Sequence, residues 1–281
     1  LFLQTFDITL VATTAFGCND TSSASLSVFP QPDFDFTMPA DTGCTPFTAN
    51  FPVISGAVSN YWTFGDGTIS TAPNPTHMYG NTTLAPISYD VEMIGTSAFG
   101  CKDTAYTTIV VNPEPITQFS VDFTAGCSPL TVSIENQSIL ADSVHWTYGD
   151  GASSDTLGSI HEHTFVNNTN QTVVYNLVLE TFTDEGCFSS YSRNIEVYPN
   201  VQADYTHPLE ACSPVSFQFE NNSQNADVYL WELGNGTVSV AQEPLGGYVN
   251  NTQFPDTFDI MMTATSLYGC ENTASSQIVI F

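Results

Sequence analysis

The sequence has almost no positive charge. Among its 281 residues only Lys102 and Arg193 are basic, against 29 Asp and Glu, which gives a formal net charge of −27. Binding to nucleic acid or to an anionic membrane requires Lys and Arg that face phosphate groups, so both classes of partner are excluded. Charged residues make up only 11% of the chain. We therefore expect a surface of uncharged Ser, Thr, Asn and Gln with scattered carboxylates, which favours solubility.

Long apolar runs and helical periodicity are missing as well. No run approaches the ~18 residues that span a bilayer, and no signal-peptide pattern begins at Leu1. The 42% of hydrophobic residues, with 20 Phe, nevertheless indicate a folded chain. Seven Cys occur at regular positions and none forms a C-x-x-C motif. This pattern indicates disulfides and therefore an extracellular, cell-surface location.

One spacing occurs four times along the chain. An aromatic residue begins a short alternating run, and Gly-Cys completes the pattern twelve residues later: Phe6 to Cys18, Tyr89 to Cys101, Tyr175 to Cys187 and Phe258 to Cys270. Such periodicity predicts an array of one small module. The predicted parts are a truncated module at 1–29, of which only the C-terminal strands are present, and modules at 30–113, 114–199 and 200–281. We expect the chain to be part of a longer protein.

Each predicted module contains the same succession of short strands. Period-two alternation with turn signals every 8–12 residues predicts an all-β sandwich of roughly seven strands, immunoglobulin-like in plan. Short Pro-containing links between modules predict a tandem array that forms an elongated rod. The expected core residues are Trp62, Trp146, Trp231, Tyr89, Tyr175 and Phe258. The expected tight turns are Gly65-Asp66-Gly67, Gly149-Asp150-Gly151 and Gly234-Asn235-Gly236.

The motif around the first Trp resembles the signature of the polycystic-kidney-disease (PKD) domain. It reads Trp62-Thr63-Phe64-Gly65-Asp66-Gly67, followed by Asn74-Pro75-Thr76-His77-Met78-Tyr79. The second module matches through Trp146 to Gly151 and His163-Thr164-Phe165, and the third is degenerate. The Cys-containing variant is similar to repeats in giant adhesins of gliding bacteria that are exported by the type IX route. The family implies an extracellular spacer or adhesive module without catalysis of its own.

That resemblance predicts a non-catalytic stalk that extends and supports an adhesive or gliding-motility filament. One alternative is a spacer that presents a secreted polysaccharide hydrolase to its substrate, and a second is a calcium-stiffened surface-layer protein. Expected partners are neighbouring modules of the same chain, glycans or other surface proteins. No cofactor is expected, and calcium is the lesser alternative.

The candidate chemical groups mostly have structural interpretations. Asp66 and Asp150 could offer carboxylates to calcium, but Asn235 at the third position favours a turn role. His161 and His163 share one face of a predicted strand and could contact one metal, but module three has no counterpart, with Gly247 aligned to His163. A loop-packing or surface role is favoured for this pair. N-x-S/T sequons are numerous and include Asn81, Asn167 and Asn250. No Ser/His/Asp set recurs with the modules, so no enzyme activity is expected.

The cysteines allow two pairing schemes. Pairing within modules would join Cys44–Cys101, Cys127–Cys187 and Cys212–Cys270. In the immunoglobulin-like plan, however, the two Cys-bearing turns of a module lie at opposite ends, roughly 25 Å apart, whereas a disulfide needs Cα atoms within about 7 Å. Pairing between successive modules, Cys44–Cys187 and Cys127–Cys270, is therefore favoured. Cys18, Cys101 and Cys212 would then be unpaired or would pair outside this chain. Pairing within modules stays open, because a shift of the first or second strand would change the end of the module at which the first Cys-bearing turn lies.

Overall fold

The computed structural model of the chain describes residues 3–281. Its contacts divide the chain into two units. Unit one runs to Pro115 and also includes Thr183–Phe188, and unit two contains Ile116–Phe182 and Ser189–Phe281. The finer division at residues 30, 114 and 200 stays a prediction. No helix capable of crossing a membrane occurs within residues 3–281.

Unit one begins with a two-stranded hairpin of β1 (Gln4–Thr13) and β2 (Asn19–Val28). The antiparallel register runs from Gln4 opposite Val28 to Thr13 opposite Asn19. Every residue of both strands is exposed. This hairpin covers most of the segment predicted to be a truncated module, and residues 1 and 2 of that segment lie outside the described residues.

The remainder of unit one is mainly a β-sandwich, here called sandwich one. Its strands are β3 (Thr42–Cys44), β4 (Phe47–Asn50), β5 (Ser59–Thr63), β6 (Ile69–Ser70), β7 (Thr76–Tyr79), β8 (Ile87–Thr96) and β9 (Lys102–Asn112). One sheet has the order β3-β9-β8-β5-β6, and the other pairs β4 with β7. Alternate residues of both sheets point inward, so a buried core that includes Trp62, Met93 and Tyr79 forms between them.

Unit two contains two further sandwiches. The strands of sandwich two are β10 (Phe119–Val121), β11 (Ala125–Cys127), β12 (Leu130–Asn136), β13 (Ser143–Thr147), β14 (Ser153–Ser154), β15 (Ile160–Phe165), β16 (Val173–Phe182) and β17 (Phe188–Tyr198). The strands of sandwich three are β18 (Tyr205–Thr206), β19 (Glu210–Ala211), β20 (Val215–Gln218), β21 (Glu220–Asn221), β22 (Val228–Glu232), β23 (Val238–Ser239), β24 (Leu245–Tyr248), β25 (Asp256–Thr265) and β26 (Glu271–Ile280).

The larger sheets of these two sandwiches repeat the order of sandwich one. They run β11-β17-β16-β13-β14 and β19-β26-β25-β22-β23. Opposite them lie β10-β12-β15 in sandwich two, and the pairs β18-β21 and β20-β24 in sandwich three. Two packed sheets with this order of strands follow the immunoglobulin-like plan. The prediction of an all-β chain of tandem immunoglobulin-like sandwiches is confirmed.

The three sandwiches differ in how they begin. Residues 33–36 form no strand, and the backbone N–H of Phe34 donates to Asp103 Oδ2 at 2.7 Å, whereas sandwich two begins with β10 and sandwich three with β18. The Cys-containing turn is entered from a short strand that was not expected. In each sandwich this strand (β3, β11 or β19) pairs in parallel with the last strand. A parallel strand of two or three residues carries no periodic signal that could reveal it.

The expected core residues divide into two groups. Trp62, Trp146 and Trp231 are fully buried, so none offers a surface for carbohydrate stacking. Tyr89, Tyr175 and Phe258 are partly buried against the three cores. The hydroxyls of Tyr89 and Tyr175 each donate to a backbone carbonyl, at 2.7 Å. These tyrosines fill the edge of the core with their rings while their polar ends are satisfied.

Candidate functional site

The Gly-Asp-Gly turn of sandwich one holds a hydrogen-bonded carboxylate. Asp66 Oδ1 accepts the backbone N–H of Thr68 at 2.9 Å and its hydroxyl at 2.6 Å. His77 Nε2 lies 2.6 Å from Asp66 Oδ2 and donates to it. The imidazole also stacks on Phe64, with ring centroids 4.2 Å apart. The turn and strand β7 are therefore joined through this single carboxylate.

Sandwich two repeats the arrangement, and sandwich three replaces it. Asp150 accepts from Ala152 N at 2.9 Å and from His163 Nε2 at 2.7 Å. In sandwich three, Asn235 Oδ1 accepts from Thr237 N, and its amide nitrogen donates to the carbonyl of Gly247 at 2.7 Å. The side-chain amide of Asn235 thus both closes the turn and joins it to the neighbouring strand β24, without a histidine. Strand registers place Gly246, and not Gly247 as the sequence alignment suggested, at the position of His77 and His163.

Both turn carboxylates have perturbed acidity. Burial alone would raise the pKa of Asp66, but hydrogen bonds from Thr68 and His77 outweigh it and lower the pKa below the ordinary value of 3.8. Burial also opposes the shift at Asp150, where His163 and the Ala152 N–H lower the pKa. Because each folded-state pKa lies below its unfolded value, the stabilisation is present above pH 3.8. It is lost as the pH falls through the lowered pKa.

We expect the double variant Asp66→Asn, Asp150→Asn to keep its turns but to lose part of the acid sensitivity of the chain. Asparagine performs the turn role in sandwich three, so the fold should persist. At pH 7 each change should cost about 0.5–1.5 kcal/mol, the net contribution of one hydrogen bond. Thermal unfolding measured from pH 7 to pH 2 checks this. A double variant whose stability falls as steeply below pH 4 as that of the unmodified chain would contradict it.

The His161-x-His163 pair does not form a shared site. His163 is engaged with Asp150 and stacks on Tyr148 at 3.8 Å. His161 packs edge-on against Trp146 at 4.9 Å, and both of its ring nitrogens are buried without a hydrogen-bond partner within residues 3–281. Burial, and secondarily the nearby His163, lower the pKa of His161. No group of three or more His, Cys, Asp or Glu arranged to hold a metal occurs among the described residues.

The parallel strand at the start of each sandwich decides where its first cysteine lies. In sandwich one, Cys44 on β3 is level with Asn112, at the C-terminal end of β9, whereas Cys101 immediately precedes that strand. The two positions are therefore separated by the whole of β9, about 35 Å at ~3.3 Å per residue. Cys127 is level with Tyr198 in the same way. Pairing within a sandwich exceeds the span of a disulfide by several-fold.

The structure instead joins Cys44 to Cys187 and Cys127 to Cys270. The Cα atoms are 5.4 and 5.6 Å apart, and each pair is separated by 143 residues. The first disulfide lies within unit one and the second within unit two. These are the pairs that the sequence favoured over the within-module scheme. Within residues 3–281, Cys18, Cys101 and Cys212 form no disulfide.

The second cysteine of each pair lies on a hairpin tip that occurs four times. At each tip a Ser or Thr four residues before Cys exchanges hydrogen bonds with it: Thr14 with Cys18, Ser97 with Cys101, Thr183 with Cys187 and Ser266 with Cys270. The intervening Gly has φ of 79–82° at all four tips, a conformation that favours glycine. The Gly-Cys repeat therefore encodes one tip conformation that presents a thiol.

Three sequons form a hydrogen-bond network that sequence reasoning missed, and its asparagine is buried in sandwiches one and two. Asn81, Asn167 and Asn250 each donate both amide hydrogens to backbone carbonyls, one of which lies at the end of the last strand of the sandwich. Each side-chain oxygen accepts from the Thr two residues later. The backbone N–H of each Asn donates to the Ser or Thr that precedes the cis-proline. The recurrence of N-x-T at one position in all three modules was the available signal.

The network and the disulfide meet at the joint between sandwiches two and three, both in unit two. Tyr198 stacks on Tyr268, with centroids 4.2 Å apart and planes 9° from parallel. Cys127 and Tyr198 also pack against the core of sandwich three. Phe29 and Phe99, at corresponding places in unit one, stack at 4.3 Å. The Cys127–Cys270 disulfide and the Tyr198–Tyr268 stack lie beside a short Pro-containing link. Together they restrict bending at the joint between sandwiches two and three.

Fold and disulfides define a chain of tandem immunoglobulin-like β-sandwiches. No protein-family model matches it, and no curated protein matches it. It resembles the PKD1 domain of the Vibrio cholerae metalloprotease PrtV (20% identity, covering 30% of this chain and 98% of that one, TM-score 0.25). It also resembles titin domains I67–I69 (12% identity, 90% and 100% covered, TM-score 0.48) and a tetra-tandem repeat from the extending region of a large adhesion protein (13%, 100% and 82%, TM-score 0.31).

Proposed function

We propose that this chain is a non-catalytic, extracellular stalk segment that carries mechanical load for a cell-surface adhesin. The observation that carries the proposal is the overlap of its two disulfide-closed segments, because Cys127 precedes Cys187. Further support comes from the repeated residues, since the turn carboxylates and the N-x-T asparagines have hydrogen-bond partners within the fold, and the tip glycines adopt the positive φ of the tip. The same features suit the PKD-like repeats of gliding-motility adhesins exported by the type IX route.

The overlapping disulfides shorten the covalent path along which a pulling force acts. From the N-terminal side this path crosses from Cys44 to Cys187, runs back to Cys127 and crosses again to Cys270. Residues 45–126 and 188–269 are bypassed. Even if every strand unfolded under load, these segments could not be stretched while both bonds persisted. A stalk built in this way limits its own extension.

Single-molecule pulling of the whole chain between its termini tests the proposal. At ~3.5 Å per extended residue, we expect the oxidised chain to extend to less than half the length of the chain treated with a reductant. The variant Cys212→Ala, which removes an exposed free thiol, is the matched control and should behave as the unmodified chain. Equal extension with and without reductant would contradict the load-limiting role.

We propose in addition that Cys18, Cys101 and Cys212 pair with cysteines of adjoining modules in the same manner. The tips of Cys18 and Cys101 have the same hydrogen-bonded conformation as the tips of Cys187 and Cys270. Cys212 follows a parallel strand, as Cys44 and Cys127 end one. Partners of the stalk are thus neighbouring modules, with glycans or other surface proteins contacted by the adhesin as a whole.

A further inference from the structure

A cleft at the joint between sandwiches two and three is lined entirely by uncharged polar residues. Its volume is about 280 Å³. Its walls are formed by asparagine, glutamine and threonine, among them Asn168, Asn170, Gln202, Gln224 and Asn225. A chain with 29 carboxylates places none of them here. Small-molecule sites begin at roughly 300 Å³, so this cleft by itself lies just below the usual range and would hold only part of a ligand.

Much of the hydrogen-bonding capacity in this cleft is unused. Asn168, Asn170, Gln202 and Gln224 line it, all four are exposed, and none of their side chains makes a hydrogen bond to another residue within residues 3–281. Gln202 and Gln224 exchange backbone hydrogen bonds at 3.1 and 2.8 Å as a directly opposed antiparallel pair. Opposed residues of such a pair point to the same side. Two free amides are thus held next to each other by the backbone.

The fold does not require amides at these two positions. The corresponding bridge at the start of sandwich two is formed by Ile116 and Ile139, with backbone hydrogen bonds of 3.0 and 2.9 Å. Both isoleucines are about half exposed. The same backbone geometry therefore forms with apolar side chains. The fold therefore accepts either residue type here, and glutamine supplies hydrogen-bonding groups at two exposed positions where isoleucine would supply none.

An exposed aromatic ring borders the second part of the joint. An adjoining cleft of about 210 Å³ shares Asn170 and Asn225 with the first and is also lined by Leu267 and Tyr268. Tyr268 is 55% exposed although Tyr198 covers one face of its ring. Asp227, which lines the same cleft, accepts the Leu267 N–H at 2.9 Å. The Tyr268 ring is therefore held in place by its stacking on Tyr198 and by the hydrogen bond that fixes the preceding residue, Leu267.

We propose that this joint binds a neutral oligosaccharide. Each amide carries a donor and an acceptor side by side, which matches the paired hydroxyls of a sugar ring, and Tyr268 offers an apolar ring to the C–H face of a neighbouring sugar. Anionic glycans are disfavoured because the chain has a net charge of −27 and only two basic residues. The proposal is independent of the stalk function, since a load-bearing chain needs no ligand.

The test is titration of the ¹⁵N-labelled whole chain with neutral hexasaccharides of glucose, mannose and N-acetylglucosamine, followed by NMR of the side-chain amides. We expect at least one of them to shift the amide signals of Asn168, Asn170, Gln202 and Gln224, with a dissociation constant of about 1 mM or tighter. An alginate hexasaccharide, which is anionic, should shift none of these signals.

Variants copied from the other sandwiches keep the test decisive. The double change Gln202→Ile, Gln224→Ile reproduces the isoleucine pair of sandwich two, so folding should persist while affinity falls by about tenfold or more. Asn168→Ala should also weaken binding. Its matched control is Asn251→Ala, at the same place in the N-x-T loop of sandwich three but outside the cleft. Failure of every neutral hexasaccharide to bind, or equal affinity in the Gln→Ile variant, would overturn the proposal whatever the pulling experiment shows.

Discussion

Replacing Cys127 and Cys270 by alanine is expected to lower the free energy of unfolding of sandwich three by about 4–5 kcal/mol. The chain-entropy model assigns this magnitude to a disulfide that closes a loop of 70–140 residues. The lower end of the range applies if sandwich two remains folded, because the open segment then runs only from the end of β17 to Cys270. Urea unfolding under non-reducing conditions, with each sandwich followed separately by limited proteolysis, measures the loss.

The single variants make this prediction sharper. Cys127→Ala and Cys270→Ala should each cost nearly as much as the double variant, because either change removes the same bond. The control Cys212→Ala, at an exposed free thiol, should lie within about 0.5 kcal/mol of the unmodified chain. Non-reducing peptide mapping must identify Cys44 with Cys187 and Cys127 with Cys270. Recovery of Cys44 linked to Cys101 would show that the pairing is wrong.

The variant Asn167→Ala is expected to destabilise sandwich two by about 3 kcal/mol or more. The side chain is 97% buried and forms bonds of 2.7–2.8 Å with Val197 O, Gln171 O and both polar groups of Thr169. Each bond contributes about 1 kcal/mol, and a carbonyl left buried without a partner costs a further 1–3 kcal/mol. Chemical denaturation should show one early transition that belongs to sandwich two.

The neighbouring residue supplies the control for this variant. Asn168 is exposed and makes no side-chain hydrogen bond within residues 3–281, so Asn168→Ala should change stability by less than about 0.5 kcal/mol. The same network predicts that Asn167 stays unmodified in a folded chain produced by a host that glycosylates sequons, because both amide hydrogens are engaged. A stable Asn167→Ala variant, or a glycan on Asn167, would show that the network contributes little.

Several features of this protein could be determined from the sequence because they repeat. The Gly-Cys pattern, the Trp of each central strand and the Gly-Asp-Gly turns recur at a fixed period, and a repeated pattern reports a repeated local conformation. The alternation of apolar and polar residues was sufficient to predict a β-sandwich, because burial of one face of a strand requires an apolar residue at every second position. The substitution of Asn235 for Asp was also sufficient to indicate a turn.

Tertiary structure decided the features that depend on residues far apart in the chain. The parallel pairing of β3, β11 and β19 with the last strand of each sandwich sets the level of the first cysteine, and two or three residues hold too little information to predict it. The N-x-T asparagines could not be distinguished from chance sequons until their carbonyl partners, 30 residues away, were in place. The amide-lined cleft exists only where two sandwiches meet, so no single segment contains its pattern. Local conformation is encoded locally, whereas the ends of strands and the contacts between sandwiches are settled by packing.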